Sequence, residues 1–352
     1  MNNSIPTPRH SAGRLFGWRR LALCLLALAL ATAATAASSF SSIVVFGDSL
    51  CDTGRLFRLT HGGFPPRVAY FDGRQSNGPV WVEYLADDLR LEHKIRNYAV
   101  VGAMTGPSAA IPTGNVWSDT FSGLGGTNLG GQFNRYLQDT GGQVDPEALY
   151  IIEGGANDLV TPLSALLLSP PATAAEFMQE VQEIALPIVV NVATMAGTLK
   201  AMGAHYVAIV NVPDFGKAPR LMQYGPVASA TVSMVVDLVN ESVGAQLSAL
   251  EAMGGNKFAR IDAFGFINQV AAAPASFGFT NASGQFMTLD LAAGTVTYAS
   301  PRRQAASQWF FWDDLHPSTR GHEFFAASAL ESLQAAFPGS FSDCRDRPPG
   351  HR

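Results

Sequence analysis

Short apolar runs alternate along the chain with longer stretches in which apolar residues recur every three or four positions. Ile43-Val44-Val45-Phe46, stopped by Gly47, predicts a buried strand. Residues 79–90 predict a helix, with Pro79 near its start and Trp81, Leu85 and Leu89 on one face. A second strand is expected over 95–101, closed by Gly102, and another over Leu149 to Glu153, ended by Gly154-Gly155. Thr173 and Glu176 stand at capping-box spacing and predict the start of a long helix, which Pro187 should bend or divide. Tyr206 to Val210 reads as a strand. The clearest amphipathic helix spans 228–252, where Val232, Val236, Val239, Val243, Leu247 and Leu250 form one stripe. Phe258 to Ile261 reads as the last core strand. A final helix over 320–336 carries Phe324, Phe325, Ala329, Leu330, Leu333 and Ala336. Strands that are apolar throughout, separated by helices of ten residues or more, imply parallel pairing with crossovers on both faces. The expected fold is α/β: a three-layer α/β/α sandwich with a parallel sheet of about five strands.

Three regions depart from this rhythm. Residues 105–142 are rich in Gly, Ser, Thr and Asn and read as a long variable loop holding a short helix at Gln132 to Leu137. Residues 1–37 begin with Arg9, Arg14, Arg19 and Arg20 and no acid, continue through the apolar run Leu21 to Ala31, and end in small residues. That is the order of a signal peptide, with cleavage expected near Ala36 or Ala37 and secreted or periplasmic destinations both open. The apolar run is shorter than the roughly 20 residues of a spanning helix, so no stable transmembrane anchor is expected. Residues 38–340 then form a single domain, and 341–352 a frayed C-terminal tail.

Composition narrows the class. The 352 residues are 47% hydrophobic and only 14% charged, which suits a packed core. Net charge is −5, and loss of the four leader arginines takes it to about −9. An acidic surface without basic clusters argues against nucleic acid as a partner. Cys24 leaves with the leader. Cys51 and Cys344 then form a possible disulfide tying the tail to the start of the domain, or remain two separate thiols.

Four polar stretches fall at or just after strand ends, where parallel sheets bind ligands. Phe46 to Gly54 places Ser49 in a tight turn at the start of a helical turn, as a nucleophile or merely a helix cap. Gly102, after the second strand, lets its backbone N–H approach a ligand closely or simply makes a turn. Asn157 offers an amide to an oxyanion, and Asp158 can tie its loop together; an ordinary Gly-Asn-Asp turn is the alternative. In Trp312 to Ser318, His316 is a candidate general base, with Asp313 or Asp314 to orient it. The G-x-x-x-x-G-K-[ST] phosphate loop, H-E-x-x-H and the G-x-S-x-G elbow are all missing. Asp313, His316 and His322 make only a poor metal set, so no metal and no cofactor are expected.

At these four stretches the chain resembles the GDSL, or SGNH, serine hydrolase family. Phe46-Gly47-Asp48-Ser49-Leu50 with Asp52-Thr53-Gly54, Asn97 to Ala103, Gly155-Ala156-Asn157-Asp158, and Asp313-Asp314-Leu315-His316-Pro317 are similar to family blocks in order. Phe71 to Trp81 and Asn211-Val212-Pro213-Asp214-Phe215-Gly216 further resemble the lecithinase, thermolabile haemolysin and glycerophospholipid–cholesterol acyltransferase branch. The resemblance implies the SGNH fold and a catalytic set of Ser49, Asp313 and His316. It implies an oxyanion hole from the Ser49 and Gly102 N–H groups and the Asn157 amide. The expected activity is hydrolysis of carboxylic esters, including lipid esters, through an acyl-enzyme. Acyl transfer to an alcohol or sterol, and a non-catalytic secreted binding protein, are the alternatives. Val101 stands where relatives often carry Gly, and Gln75 where they often carry an aromatic residue, a change that bears on the substrate cleft.

Overall fold

The computed structural model describes residues 38–106, 127–254 and 257–341. The leader expected over 1–37, most of the variable loop and Cys344 lie outside these residues. The described chain falls within one compact unit.

Five parallel strands make the central sheet: β1 (Ile43–Phe46), β2 (Ile95–Asn97), β3 (Leu149–Ile152), β4 (Tyr206–Val210) and β5 (Phe258–Ile261), in the order β2-β1-β3-β4-β5. Ile43 pairs with both Ile95 and Leu149, Leu149 with Tyr206, and Val207 with Phe258. Every residue of β1 and β3 is buried, because helices cover both faces and no side of these strands meets water. The order reverses at β1. Right-handed crossovers therefore put the β1–β2 helix on one face and the later crossover helices on the other. A topological switch point opens between the carboxyl ends of β1 and β3.

The helix Trp81–Asp88 packs against the last helix, Thr319–Ala336, with the Trp81 and Phe325 rings edge to face at 5.1 Å. In the other layer Ala156–Leu168 packs on Ala174–Ala201, and the latter on Pro226–Gly254. Ala174–Ala201 is long and apolar enough, by length and composition, to cross a membrane. Here it turns Val181, Ile188, Val192, Ala196 and Leu199 into the core. Thr173 caps it as expected, its hydroxyl accepting from the Glu176 N–H. Pro187 neither ends nor divides it. Pro187 and Glu183 are exposed, so the carbonyl that loses its partner lies on the solvent side of the helix, where the loss costs least.

Other expectations need correction. The second strand stops at Asn97 rather than running to 101, because the Asn97 Oδ1 accepts from the Ala99 N–H and turns the chain. The helix foreseen at Gln132 to Leu137 runs over Leu129–Asp139. The helix Ala156–Leu168 follows the Gly154-Gly155 turn although its composition, with Pro162 inside, gave no sign of it. Between β5 and the last helix comes an excursion of short strands, Asn281–Gln285 paired with Trp309–Phe311 and the hairpin Met287–Asp290/Thr295–Tyr298. Phe286, Met287, Tyr298 and Trp312 cluster beneath it.

Of the two cysteines, only Cys51 is described. Cys51 is a free, fully buried thiol. It packs so tightly under Gly47 that a side chain there would lie 3.0 Å from its Cβ. The ends of the domain are joined by backbone. Ser38 bridges Phe341 antiparallel, and the Ser39 N–H donates to the Ser340 carbonyl at 2.8 Å.

Candidate active site

β1 delivers Gly47-Asp48-Ser49 to the switch point. Gly47 is clamped by the buried Gln132, which accepts from its N–H (2.9 Å) and donates to its carbonyl (2.8 Å). The Asp48 N–H donates to the Glu153 carboxyl at 3.0 Å, and burial pushes the pKa of both acids up. Ser49 caps no helix. The Asp52 N–H donates to the Asp48 carbonyl in a single turn, and the next helix, Arg55–Leu59, starts six residues on. The Asp52 carboxylate accepts from the N–H groups of Arg55, Leu56 and Val101, which locks the serine turn to the loop carrying Gly102.

The fourth stretch closes on the first across 267 positions of sequence. His316 Nε2 lies 2.9 Å from Ser49 Oγ, and its Nδ1 lies 2.8 and 2.9 Å from the two oxygens of Asp313. Asp313 Oδ1 also accepts from the N–H groups of Leu315 (2.9 Å) and His316 (2.7 Å), so the acid shapes the turn that presents its own histidine. Burial raises the Asp313 pKa, but the His316 charge, its hydrogen bonds and the backbone donors outweigh it and hold the carboxyl down at about 2. Asp314 faces elsewhere, in a bidentate pair with Arg220 at 2.8 and 2.9 Å. Of the two rival acids, only Asp313 reaches the imidazole.

Tyr70, which sequence reading passed over, donates its hydroxyl to Asp313 Oδ2 at 2.8 Å. Its loop is held by the Trp312 indole N–H on the Ala69 carbonyl (3.0 Å) and by Tyr298 on the Val68 carbonyl (3.2 Å). Tyr70 lies in no motif. The residues that hold it come from the excursion some 230 positions away, so only the fold finds it.

Three groups face the space beside Ser49. Among the described residues the N–H groups of Ser49 and Gly102 have no acceptor. Gly102 has φ +79°, a conformation glycine takes without strain. The Asn157 amide donates to Asp48 Oδ2 (3.1 Å) and the Ala103 carbonyl (3.0 Å), so it is held rigidly in the first turn of its helix. Asp158 ties that turn to Thr105, accepting from its N–H (3.0 Å) and hydroxyl (2.8 Å), while burial lifts its pKa to about 6.

Ser49, Asp313 and His316 are buried except where two depressions meet them. A cavity of about 340 Å³ is bounded by Tyr70, Gln75, Gly102, Arg220, Leu289 and Asp314. A narrower apolar slot of about 50 Å³ is lined by Pro213, Phe215, Ala218, Ile267, Phe311 and Leu315. His322 is buried, and burial pulls its pKa to about 3. No group of three or more metal-type side chains occurs among the described residues.

Over 306 residues the chain is 27% identical to the thermolabile hemolysin of Vibrio parahaemolyticus serotype O3:K6, covering 85% of this chain and 65% of that one. Over 202 residues it is 30% identical to the phosphatidylcholine-sterol acyltransferase of Aeromonas hydrophila, covering 56% and 52%. A GDSL esterase/lipase of Arabidopsis thaliana is 24% identical over 85% of this chain and 90% of its own. The chain thus spans just under two thirds and about half of the lengths of the first two relatives. The family model of GDSL-like lipases and acylhydrolases matches residues 43–329, which takes in all four stretches at the carboxyl end of the sheet, and the chain belongs to that family.

Proposed function

We propose that the protein hydrolyses carboxylic esters through an acyl-enzyme on Ser49. The reading rests on one observation, the continuous relay from Asp313 through His316 to Ser49 with links of 2.8 and 2.9 Å. Asp313 accepts from Nδ1–H, which leaves the Nε2 lone pair toward the serine. His316 takes the hydroxyl proton as Oγ attacks the ester carbonyl. The Ser49 and Gly102 N–H groups receive the oxyanion, and Asn157 joins them by sharing an amide hydrogen now directed at Asp48 or Ala103. His316 then protonates the leaving alcohol and activates water against the acyl-enzyme. The apolar slot suits the acyl group, and the larger polar cavity suits the alcohol. No step calls for a cofactor. The leader-like pattern of residues 1–37 supports action outside the cytoplasm.

A second reading, acyl transfer to a sterol or other alcohol, uses the same acyl-enzyme and is favoured by the similarity to the Aeromonas acyltransferase. A fluorophosphonate probe followed by mass spectrometry should place one adduct on Ser49, and Ser49→Ala should abolish both adduct and ester turnover while the protein stays folded. Labelling elsewhere, or turnover retained by purified Ser49→Ala protein, refutes the proposal. An acylated sterol as the main product in the presence of sterol moves the assignment to the second reading.

A further inference from the structure

Gln75 has no job in the chemistry above. The residue is 3% exposed, and its side-chain Oε1 is buried with no hydrogen-bond partner among the described residues. Burying a polar atom of an amide without a partner is unfavourable, a cost that an apolar side chain would not carry. The segment that carries it is also held in place. On one side the Arg74 guanidinium pairs with Glu83 at 2.6 Å. On the other, the Ser76 hydroxyl donates to the Pro317 carbonyl at 3.0 Å and Asn77 Oδ1 accepts from the Thr319 N–H at 2.8 Å. A side chain with an unsatisfied polar atom, on a segment held at both sides, thus borders the same cavity as Ser49 and His316.

Building on the ester-hydrolase reading, we propose that Gln75 determines specificity by hydrogen-bonding a free hydroxyl on the alcohol half of the substrate, as in glycerol or sugar esters. A hydroxyl both donates and accepts, so it satisfies whichever amide atom faces it. The charge of the cavity favours a neutral group over a phosphate. Asp313 and Asp314 both line it, and Arg220, the one Lys or Arg among the lining residues, already spends its guanidinium on Asp314.

The test uses glycerol 1-butyrate and n-propyl butyrate, which share the acyl group and carbon skeleton and differ by two hydroxyls. The wild-type protein should favour the glycerol ester in kcat/KM by about tenfold or more. Gln75→Leu, near in volume and apolar, should erase that preference, leave n-propyl butyrate turnover within about twofold, and not lower the unfolding midpoint. Gln75→Phe serves as the second variant and should behave alike. Both esters slowing equally, a ratio unmoved by either variant because solvent alone satisfies the amide, or dibutyrylphosphatidylcholine preferred over glycerol 1-butyrate would each overturn the assignment. Absence of turnover together with an unlabelled Ser49 would instead refute the hydrolase reading on which it rests.

Discussion

Replacing Asp313 by Asn tests the relay where its electrostatics are concentrated. Asp313 Oδ1 receives two backbone N–H groups, and the amide keeps that oxygen, so the turn 313–316 should survive. Oδ2 becomes an NH₂ facing the Tyr70 hydroxyl and Nδ1, each 2.8 Å away. The tyrosine can rotate its proton and accept. Nδ1 can accept only by giving up its own hydrogen, which moves to Nε2 and points at Ser49. The histidine is then the wrong tautomer to take the serine proton, and the charge that stabilises the imidazolium is gone. By analogy with serine proteases, this costs about 10⁴ in kcat, or about 5.5 kcal/mol of barrier. Asp314→Asn removes only a partly exposed pair with Arg220 and should change turnover less than about fivefold. Initial rates on a chromogenic ester, with circular dichroism to verify folding, separate the two. An Asp313→Asn enzyme within tenfold of wild type, or a larger loss in Asp314→Asn, refutes the reasoning.

Other predictions test the supporting shell. Tyr70→Phe keeps the ring and removes one donor to Asp313, so kcat should fall about tenfold with KM nearly unchanged, and the loss should vanish in an Asp313→Ala background; an undiminished loss there shows that Tyr70 acts by another route. Asp158 has its pKa raised to about 6, so the folded state binds more protons than the unfolded between pH 4 and 6, and its contribution is fully present below about pH 4 and lost as pH rises through 6. Urea titrations at pH 4 and pH 7 should therefore show wild type losing about 2 kcal/mol relative to Asp158→Asn, and parallel pH profiles would refute it. Burial pushes the Cys51 thiol well above its usual range, so iodoacetamide should label it only after unfolding; native labelling, or a Cys51–Cys344 cross-linked peptide, contradicts the structure. Gly155 has φ +111°, and a Cβ there would sit 2.9 Å from Val212 Cγ2 and 3.1 Å from Ile188 Cγ2, so Gly155→Ala should cost about 1–3 kcal/mol in denaturant titration and slow turnover by displacing Asn157; unchanged stability and rate would mean the turn relaxes freely.

The order of buried strands and helices was legible along the chain because its causes are local. A strand covered on both faces must be apolar throughout, as Ile43–Phe46 and Leu149–Ile152 are, and an amphipathic helix must repeat near 3.6 residues, as 226–254 does. The turns bearing Ser49, Gly102, Asn157 and His316 were legible for the same reason, since each needs particular residue types at short spacing. Pairings across the chain left no such trace. Asp313 and Asp314 lie three and two residues before His316, spacing alone left both open, and in the fold Asp314 is taken by Arg220, 94 positions away. Tyr70 reaches Asp313 across 243 positions, and the burial of Cys51 beneath Gly47 is likewise a matter of tertiary packing. Local patterns determined which elements form and which turns can carry chemistry. Only the packed fold decided which side chains meet, because contact between distant residues is a property of the closed chain and of no segment within it.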